Sequence, residues 1–449
     1  MDACTIRRPA CARLFAVLVG LGALPAWAAS APVADPGRSA QALLQAAADG
    51  DVPALQAAVV RLPARWQGLA RARLAAARLD ETQAIALADA FLREPGPGCD
   101  QALAQGVIAD AAFAAGRYSR AAEAGQARVA LLQGCGGAAD QIDGAATLAG
   151  LADRLAPAPA QRVVAFEPGQ ATFIRDKVGL PRATVRINGH EQAAVLDTGA
   201  NLSVVSASTA RRLGLRELGQ ARVGTSSRTS VATRVAMADR LELSGLVLEH
   251  VAFLVLDDAQ LEMPVPGGYR IDAIVGFPVF RAMQRVQFGR DGVLRAGGAP
   301  AESPAASASV SNLALAGSDL FVQTRVDGID TPLHLDSGGN QSSLSARFAE
   351  LHPDRVRALP RNVQRVAGAG GQTERQVAQW QQVEMTVGDR QLRLPELPVA
   401  LQDSEDVQVR SQGVLGGDVL NAFDSWTLDF RSMRLELGEP VATAAATIH

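Results

Sequence analysis

Two short stretches decide the fold of this chain: VLDTGANLSVV at residues 195–205 and HLDSGGNQSSL at residues 334–344. Each begins as an apolar strand and delivers an aspartate, Asp197 or Asp336, into a turn made of a hydroxyl residue and a glycine. Glycine lets backbone N–H groups approach a carboxylate without an intervening Cβ. The Thr or Ser hydroxyl can both donate and accept a hydrogen bond. The pattern therefore predicts two equivalent turns that each present an aspartate.

The sequence around both aspartates repeats with the same spacing. A lone Asp-(Thr/Ser)-Gly triplet is expected by chance about 0.2 times in a chain of this length. Here each triplet follows a turn signal, Asn188-Gly189 or Asp327-Gly328. Each also precedes an apolar-apolar-glycine run, which ends at Gly276 or Gly416. Chance does not explain so many matching motifs at the same spacing around both aspartates.

Two aspartates held together can hydrolyse an amide without a metal or a covalent nucleophile. One carboxylate takes a proton from water while the other carboxylic acid protonates the carbonyl oxygen. Crowding two like charges raises one pKa and lowers the other, so the pair shares one proton. We predict that Asp197 and Asp336 are catalytic. The residues predicted to support them are Thr198, Gly199, Ser337 and Gly338.

On these residues the chain resembles the aspartic peptidase superfamily, specifically the bacterial retropepsin-like or pepsin-like proteins with both half-sites on one chain. The resemblance covers roughly residues 163–438, and it departs from the pattern where the first copy has Pro278 and the second has Asp418. It implies a mainly β fold of two homologous lobes, residues 163–298 and 309–438, with a cleft between them. The resemblance implies as well that the apolar-apolar-glycine strands ending at Gly276 and Gly416 brace the loops that carry the aspartates. It also implies a peptide or protein substrate, no cofactor, and activity as a monomer.

Members of this family cover their substrate with a flexible β-hairpin flap. The flap candidates by position are Gly224 and Thr225 in the first lobe, and Gly368 and Gly370 in the second. Both segments are Gly-rich and follow their aspartate at similar distances, which favours hairpin loops.

His334 stands two residues before Asp336, where the first copy has Val195. Strand alternation places it on the same side of the strand as the aspartate. Two interpretations stay open: a histidine hydrogen-bonded in the core or at a lobe edge, or an imidazole that shifts the titration of the aspartate pair.

The start of the chain has the pattern of a signal peptide at residues 1–28. Arg7, Arg8 and Arg13 form a basic segment, an apolar segment follows, and Ala26-Trp27-Ala28 is typical of a cleavage site. We therefore expect a periplasmic or secreted protein; the alternative is an uncleaved anchor.

Residues 36–155 are rich in Ala, Leu and Arg with apolar positions at helical spacing, which predicts α-helical hairpins. The segment from Ala111 to Ala122 resembles the turn of a tetratricopeptide repeat. Cys99 and Cys135 flank that hairpin, so antiparallel packing favours a disulfide between them, with two free thiols as the alternative. We expect this region to pack or to bind a protein partner rather than to catalyse.

Composition excludes several other functions. The formal net charge is −3, with 43 Lys and Arg against 46 Asp and Glu and only 4% aromatic residues. No block of like charge appears, so we expect no nucleic-acid binding. The five histidines form no His-x-x-x-His pair, and we predict no metal site. Two rival hypotheses remain: a non-catalytic peptide-binding scaffold, and a zymogen-like state in which the helical region or residues 157–175 cover the cleft.

Overall fold

The computed structural model describes residues 39–224, 231–263, 267–298, 311–368, 371–402 and 410–441. The predicted signal peptide, Thr225, Gly370 and most of the segment between the lobes lie outside these ranges. Among the described helices, none is both long enough and apolar enough to cross a membrane.

The N-terminal part of the chain is helical, as expected. Its helices are α1 (Ala40–Ala48), α2 (Val52–Ala58), α3 (Ala64–Ala77), α4 (Glu81–Leu92), α5 (Gly98–Ala114), α6 (Tyr118–Cys135) and α7 (Ala139–Leu155). Three of these helices are capped at the N-terminus by the residue that precedes them. The side chains of Ser39, Asp51 and Asp80 accept hydrogen bonds from backbone N–H groups at the starts of α1, α2 and α4. Gly136, in the left-handed conformation with φ of 72°, ends α6.

The predicted pairing of Cys99 with Cys135 matches the geometry, since the structure joins them in a disulfide with Cα atoms 5.7 Å apart. Both cysteines lie just inside the helices rather than outside them, because α5 begins directly after Pro97 and α6 continues to Cys135. The bond links the first turn of α5 to the last turn of α6. It therefore closes the open end of this hairpin.

The first lobe begins after a short connection from α7. Its elements are β1 (Arg162–Phe166), β2 (Gly169–Arg175), β3 (Pro181–Ile187), β4 (His190–Leu196), β5 (Ser203–Ser206), α8 (Ala207–Arg212), β6 (Arg216–Val223), β7 (Val231–Leu243), β8 (Leu246–Leu256), β9 (Glu262–Met263), β10 (Tyr269–Arg270), β11 (Ala273–Val275), α9 (Phe277–Ala282), β12 (Arg285–Gly289) and β13 (Val293–Ala296).

The elements of the second lobe are β14 (Leu313–Ala316), β15 (Asp319–Val326), β16 (Ile329–Leu335), β17 (Ser343–Leu344), α10 (Ala346–Leu351), α11 (Pro353–Val356), β18 (Arg361–Gly368), β19 (Gly371–Val387), β20 (Arg390–Ala400), β21 (Gly413–Leu415), α12 (Gly417–Leu420), β22 (Ser425–Asp429) and β23 (Arg434–Leu437). From β14 onward, the order of elements repeats that of the first lobe from β2, except that β9 and β10 have no counterpart and α11 is added.

The main sheets of the two lobes share one strand order. The first runs β2-β3-β4-β11-β5-β8-β7-β6 and the second runs β14-β15-β16-β21-β17-β20-β19-β18. In each, an early strand pairs again with a late one, β3 with β7 and β15 with β19, so the sheet curls toward a barrel. The turn signals are hairpin turns: Asn188 and Asp327 both have positive φ, and each is followed by a positive-φ glycine.

Two strands near the C-terminus join the first lobe's sheet instead of the second's. β22 pairs with β12, β12 with β13, and β13 with β2, while β23 pairs with β22. Both strands fall inside the range predicted for the second lobe, because contiguity in sequence does not reveal pairing across the molecule. The lobes are therefore connected by a shared sheet.

The chain as a whole is a mixed helix and strand structure rather than a mainly β one. One apolar core runs through both lobes, and a second fills the helical region. The helical core also takes in Val235, Met237 and Ala252 of the first lobe and Ala314 of the second. The helical region thus packs against both lobes.

Candidate active site

Each aspartate is fixed by a neighbouring strand at the point where its own strand ends. Asp197 follows β4 and Asp336 follows β16, and these strands run parallel to β11 and β21. The Asp197 backbone N–H donates to the Val275 carbonyl at 3.0 Å, and the Asp336 N–H donates to the Leu415 carbonyl at 3.0 Å. The sheet therefore sets the position of each carboxyl group.

Thr198 and Ser337 bind the two turns to each other through four reciprocal hydrogen bonds. The Thr198 N–H donates to the Ser337 Oγ at 3.0 Å, and the Ser337 N–H donates to the Thr198 Oγ1 at 3.0 Å. The Thr198 hydroxyl donates to the Leu335 carbonyl at 3.0 Å, and the Ser337 hydroxyl donates to the Leu196 carbonyl at 2.9 Å. Both side chains are buried. Each hydroxyl is a donor and an acceptor at once, which only Ser or Thr supplies at this size.

Each turn glycine lies directly against the aspartate of the opposite lobe. A Cβ on Gly199 would lie 2.9 Å from the Asp336 Cγ, and a Cβ on Gly338 would lie 2.4 Å from the Asp197 Cγ. Any larger residue would push the opposite carboxyl group away. These glycines are therefore required by close approach.

Gly276 and Gly416 occupy equally crowded positions behind the turns. A Cβ on Gly276 would lie 2.6 Å from the Ala200 carbonyl oxygen, and one on Gly416 would lie 2.8 Å from the Gln341 carbonyl carbon. Their N–H groups donate to the hydroxyls of Ser203, at 3.2 Å, and Ser342, at 2.9 Å. These serines were not predicted from the sequence. The signal was present, since each stands six residues after its aspartate.

Asp418 takes up the position where the first copy has Pro278. Its carboxylate accepts from the Ser342 N–H at 2.9 Å, the Ser342 hydroxyl at 2.6 Å and the Val419 N–H at 2.9 Å. Burial raises the pKa of Asp418 despite these hydrogen bonds. The Asp418 carboxylate thus braces the second turn by a contact that a proline cannot make.

The environment of Asp197 favours its protonated form. Burial is the main cause that raises the pKa of Asp197 well above its usual value, and the charge of Asp336 adds to the effect. The Gly199 N–H, which donates to Asp197 Oδ1 at 2.8 Å, opposes the shift without reversing it. The two carboxyl groups therefore act on one another's ionisation. This is the arrangement expected of two carboxyl groups that share one proton.

The aspartate pair faces a cavity of about 2260 Å³. Asp197 and Asp336 are both partly exposed to it. Two flap candidates also line it: Gly224 directly follows β6, and Gly368 ends β18. Gly368 of β18 pairs with Gly371 of β19. The other flap candidates, Thr225 and Gly370, lie outside the described residues.

His334 lines the same cavity, on the strand face predicted for it. It lies opposite Phe321 in the neighbouring strand, with ring centroids 5.9 Å apart. Its Nε2 atom is buried and has no hydrogen-bond partner among the described residues. The structure therefore does not provide the hydrogen bond that the core interpretation of His334 assumed.

Part of the cavity wall comes from the helical region. Asp49, Arg128, Asp143 and Arg154, which belong to this region, line the cavity together with the aspartate pair. No feature of the sequence indicated that these residues approach the aspartates, because the contact is between segments far apart in the chain.

In the part of the chain that the structure describes, no cluster of three or more His, Cys, Asp or Glu residues could hold a metal ion.

Comparison with known proteins agrees with this geometry in the first lobe. Residues 183–279 match the aspartyl protease family. Among solved structures, basic 7S globulin from soybean is 11% identical with a TM-score of 0.37, covering 61% of this chain and 95% of its own. A retropepsin-like aspartic protease from Rickettsia conorii is 14% identical with a TM-score of 0.21, covering 30% of this chain and 95% of its own. No curated protein matches the chain. The resemblance predicted from the sequence is thus confirmed for residues 183–279.

Proposed function

We propose that this protein is an exported aspartic-type endopeptidase whose two lobes each supply one catalytic aspartate. The observation that carries the proposal is the set of reciprocal hydrogen bonds between Thr198 and Ser337, which holds Asp197 and Asp336 together at the cavity. The matching strand orders support treating the lobes as two versions of one unit. Because one chain supplies both aspartates, catalysis needs no second copy.

The two carboxyl groups begin the first step with one proton between them, and we place it on Asp197, whose pKa burial raises. Asp336, as the carboxylate, takes a proton from water while the water oxygen attacks the substrate carbonyl carbon. Asp197, which holds the shared proton, gives it to the carbonyl oxygen, and a tetrahedral diol results. In the second step Asp336 gives its proton to the leaving nitrogen as the C–N bond breaks. Asp197 recovers a proton from the diol, which leaves the pair as it began.

The proposal is tested by incubating the purified protein with a diverse peptide library between about pH 3 and pH 7. We expect internal cleavage that a statine-type transition-state mimic blocks, because the mimic places a hydroxyl where the attacking water sits. Binding of the mimic without cleavage of any peptide would favour the rival function, a peptide-binding scaffold.

A further inference from the structure

The cavity wall contributed by the helical region contains a group of charged side chains that the proposed chemistry does not use. Arg128 of α6 lines the cavity beside Asp49 and Asp110 of the same region and Arg410 of the second lobe. Arg73 and Asp140 complete the group through ion pairs with these residues.

The three carboxyl groups of this set, Asp49, Asp110 and Asp140, have other partners. Asp110 forms an ion pair with Arg73 at 2.7 Å, and Asp140 forms one with Arg410 at 3.2 Å. The carboxyl oxygens of Asp49 accept from the Gln45 amide at 3.1 and 3.2 Å, and burial raises the pKa of Asp49. Among the described residues, Arg128 makes no ion pair or side-chain hydrogen bond.

Arg128 is a partly buried cation held in a fixed place. Its guanidinium lies over the backbone of α5, since a Cβ on Gly106 would come within 3.1 Å of its Cζ. Burial lowers the pKa of Arg128, yet an arginine stays charged in proteins. A buried charge without a partner is unfavourable, and an incoming anion would relieve that cost. A guanidinium can take a carboxylate in a bidentate manner.

We propose that Arg128 binds a carboxylate of the peptide substrate, away from the scissile bond, so that the helical region selects anionic peptides. This proposal rests on the proposed peptidase function for its role in catalysis. The carboxylate has two sources: an acidic side chain, or the free C-terminus of the peptide. Both present the same planar group to the guanidinium.

The test compares kcat/KM for matched peptides that share one cleavage site. In one series a glutamate is moved along the peptide, and each member has a glutamine counterpart; in the other, the C-terminus is a free acid or an amide. At one position, or at the C-terminus, we expect kcat/KM to be at least about tenfold higher for the peptide with the carboxylate than for its neutral counterpart. A hydrogen bond to a charged group supplies a difference of that size. Arg128→Met should abolish that preference, and Arg128→Lys should retain part of it. Arg120→Met, on the same helix but outside the cavity, is the control and should behave as wild type.

A binding measurement separates this proposal from the peptidase function. Fluorescence anisotropy of the preferred acidic peptide and its neutral counterpart, with the Asp197→Asn protein, reports recognition without turnover. If the acidic peptide binds more tightly than the neutral one, and Arg128→Met removes that difference, the anion site is supported even if no peptide is cleaved. Equal preference in wild type and Arg128→Met, in both measurements, would overturn it. Gly106→Ala, which crowds the guanidinium without removing its charge, should weaken discrimination in the same direction.

Discussion

At the scale of single residues, the site depends on groups that serve both lobes at once. Thr198 and Ser337 each satisfy a backbone N–H and a carbonyl of the opposite turn. Gly199 and Gly338 each make room for the opposite aspartate. A substitution in one turn should therefore also disturb the hydrogen bonds and packing of the other turn.

Thr198→Val keeps the shape of the side chain but removes its hydroxyl. The Ser337 N–H and the Leu335 carbonyl then lose a buried partner, at a cost of about 1–3 kcal/mol for each unsatisfied group. We expect denaturant unfolding to show the lost stability and peptide cleavage to fall with it. Thr172→Val, at an exposed position of β2, is the control. A Thr198→Val protein as stable and active as wild type would show that the cross-bonds do not hold the site.

Asp197→Asn should stabilise the protein at neutral pH. Because the pKa of Asp197 is raised in the folded protein, folding binds its proton more tightly than the unfolded chain does. Wild-type stability is then lost as the pH rises from about 4 through the raised pKa, whereas asparagine cannot ionise. The difference in free energy of unfolding between the two proteins should therefore increase as the pH rises.

Thermal unfolding between about pH 3 and pH 8 measures this difference. Asp239→Asn, at an exposed site, is the control and should track wild type. A variant that is less stable than wild type at neutral pH, or a difference independent of pH, would contradict the raised pKa.

At the scale of elements, the two hairpins that carry the flap candidates differ in their support. α7 packs along β6, and Leu218 and Ala221 of β6 lie against the helical core. β18 has no such cover in the described structure, and its Val363 is 50% exposed. The first hairpin is therefore held by the helical region, while the second is supported by its own lobe.

Amide hydrogen exchange should show this asymmetry. We expect the N–H groups of β18 that bond to β19 to exchange faster than those of β6 that bond to β7, because fewer apolar contacts must break for β18 to open. A peptide-like inhibitor should slow exchange mainly in β18. Equal protection in the two strands would indicate that α7 does not restrain the first hairpin.

The sequence predicted more of the site than of its surroundings. The aspartates, hydroxyls and glycines were identifiable because the chemistry of a shared turn permits few residue types at those positions. Asp418 and the two serines could have been found by aligning the two copies with each other. The pairing of β22 with β12 and the helical wall of the cavity could not, since both depend on contacts between distant segments that leave no local pattern.

At the scale of the whole molecule, the helical region packs against both lobes. Val235 and Met237 of β7 are fully buried in the helical core, and Arg281 of α9 pairs with Glu81 of α4 at 2.5 Å. This packing argues against the hypothesis that the helical region is only a removable cover of the cleft.

Removing residues 1–160 should destabilise the lobes. The truncation would expose Val235, Met237 and Ala252, and each large apolar side chain returned to water costs about 1.5–3 kcal/mol. We expect the fragment to unfold at a lower temperature than the full chain and to aggregate. A stable and more active fragment would instead support the zymogen-like hypothesis.

The measurement that tests the central claim most directly is the cleavage rate of the best library peptide by wild type, Asp197→Asn and Asp336→Asn, with the affinity for that peptide measured alongside. We predict that each single substitution lowers kcat by at least about a thousandfold, since one carboxyl group cannot both activate water and protonate the carbonyl oxygen. Peptide affinity should be retained. Turnover within about tenfold of wild type in either variant would contradict a shared catalytic pair.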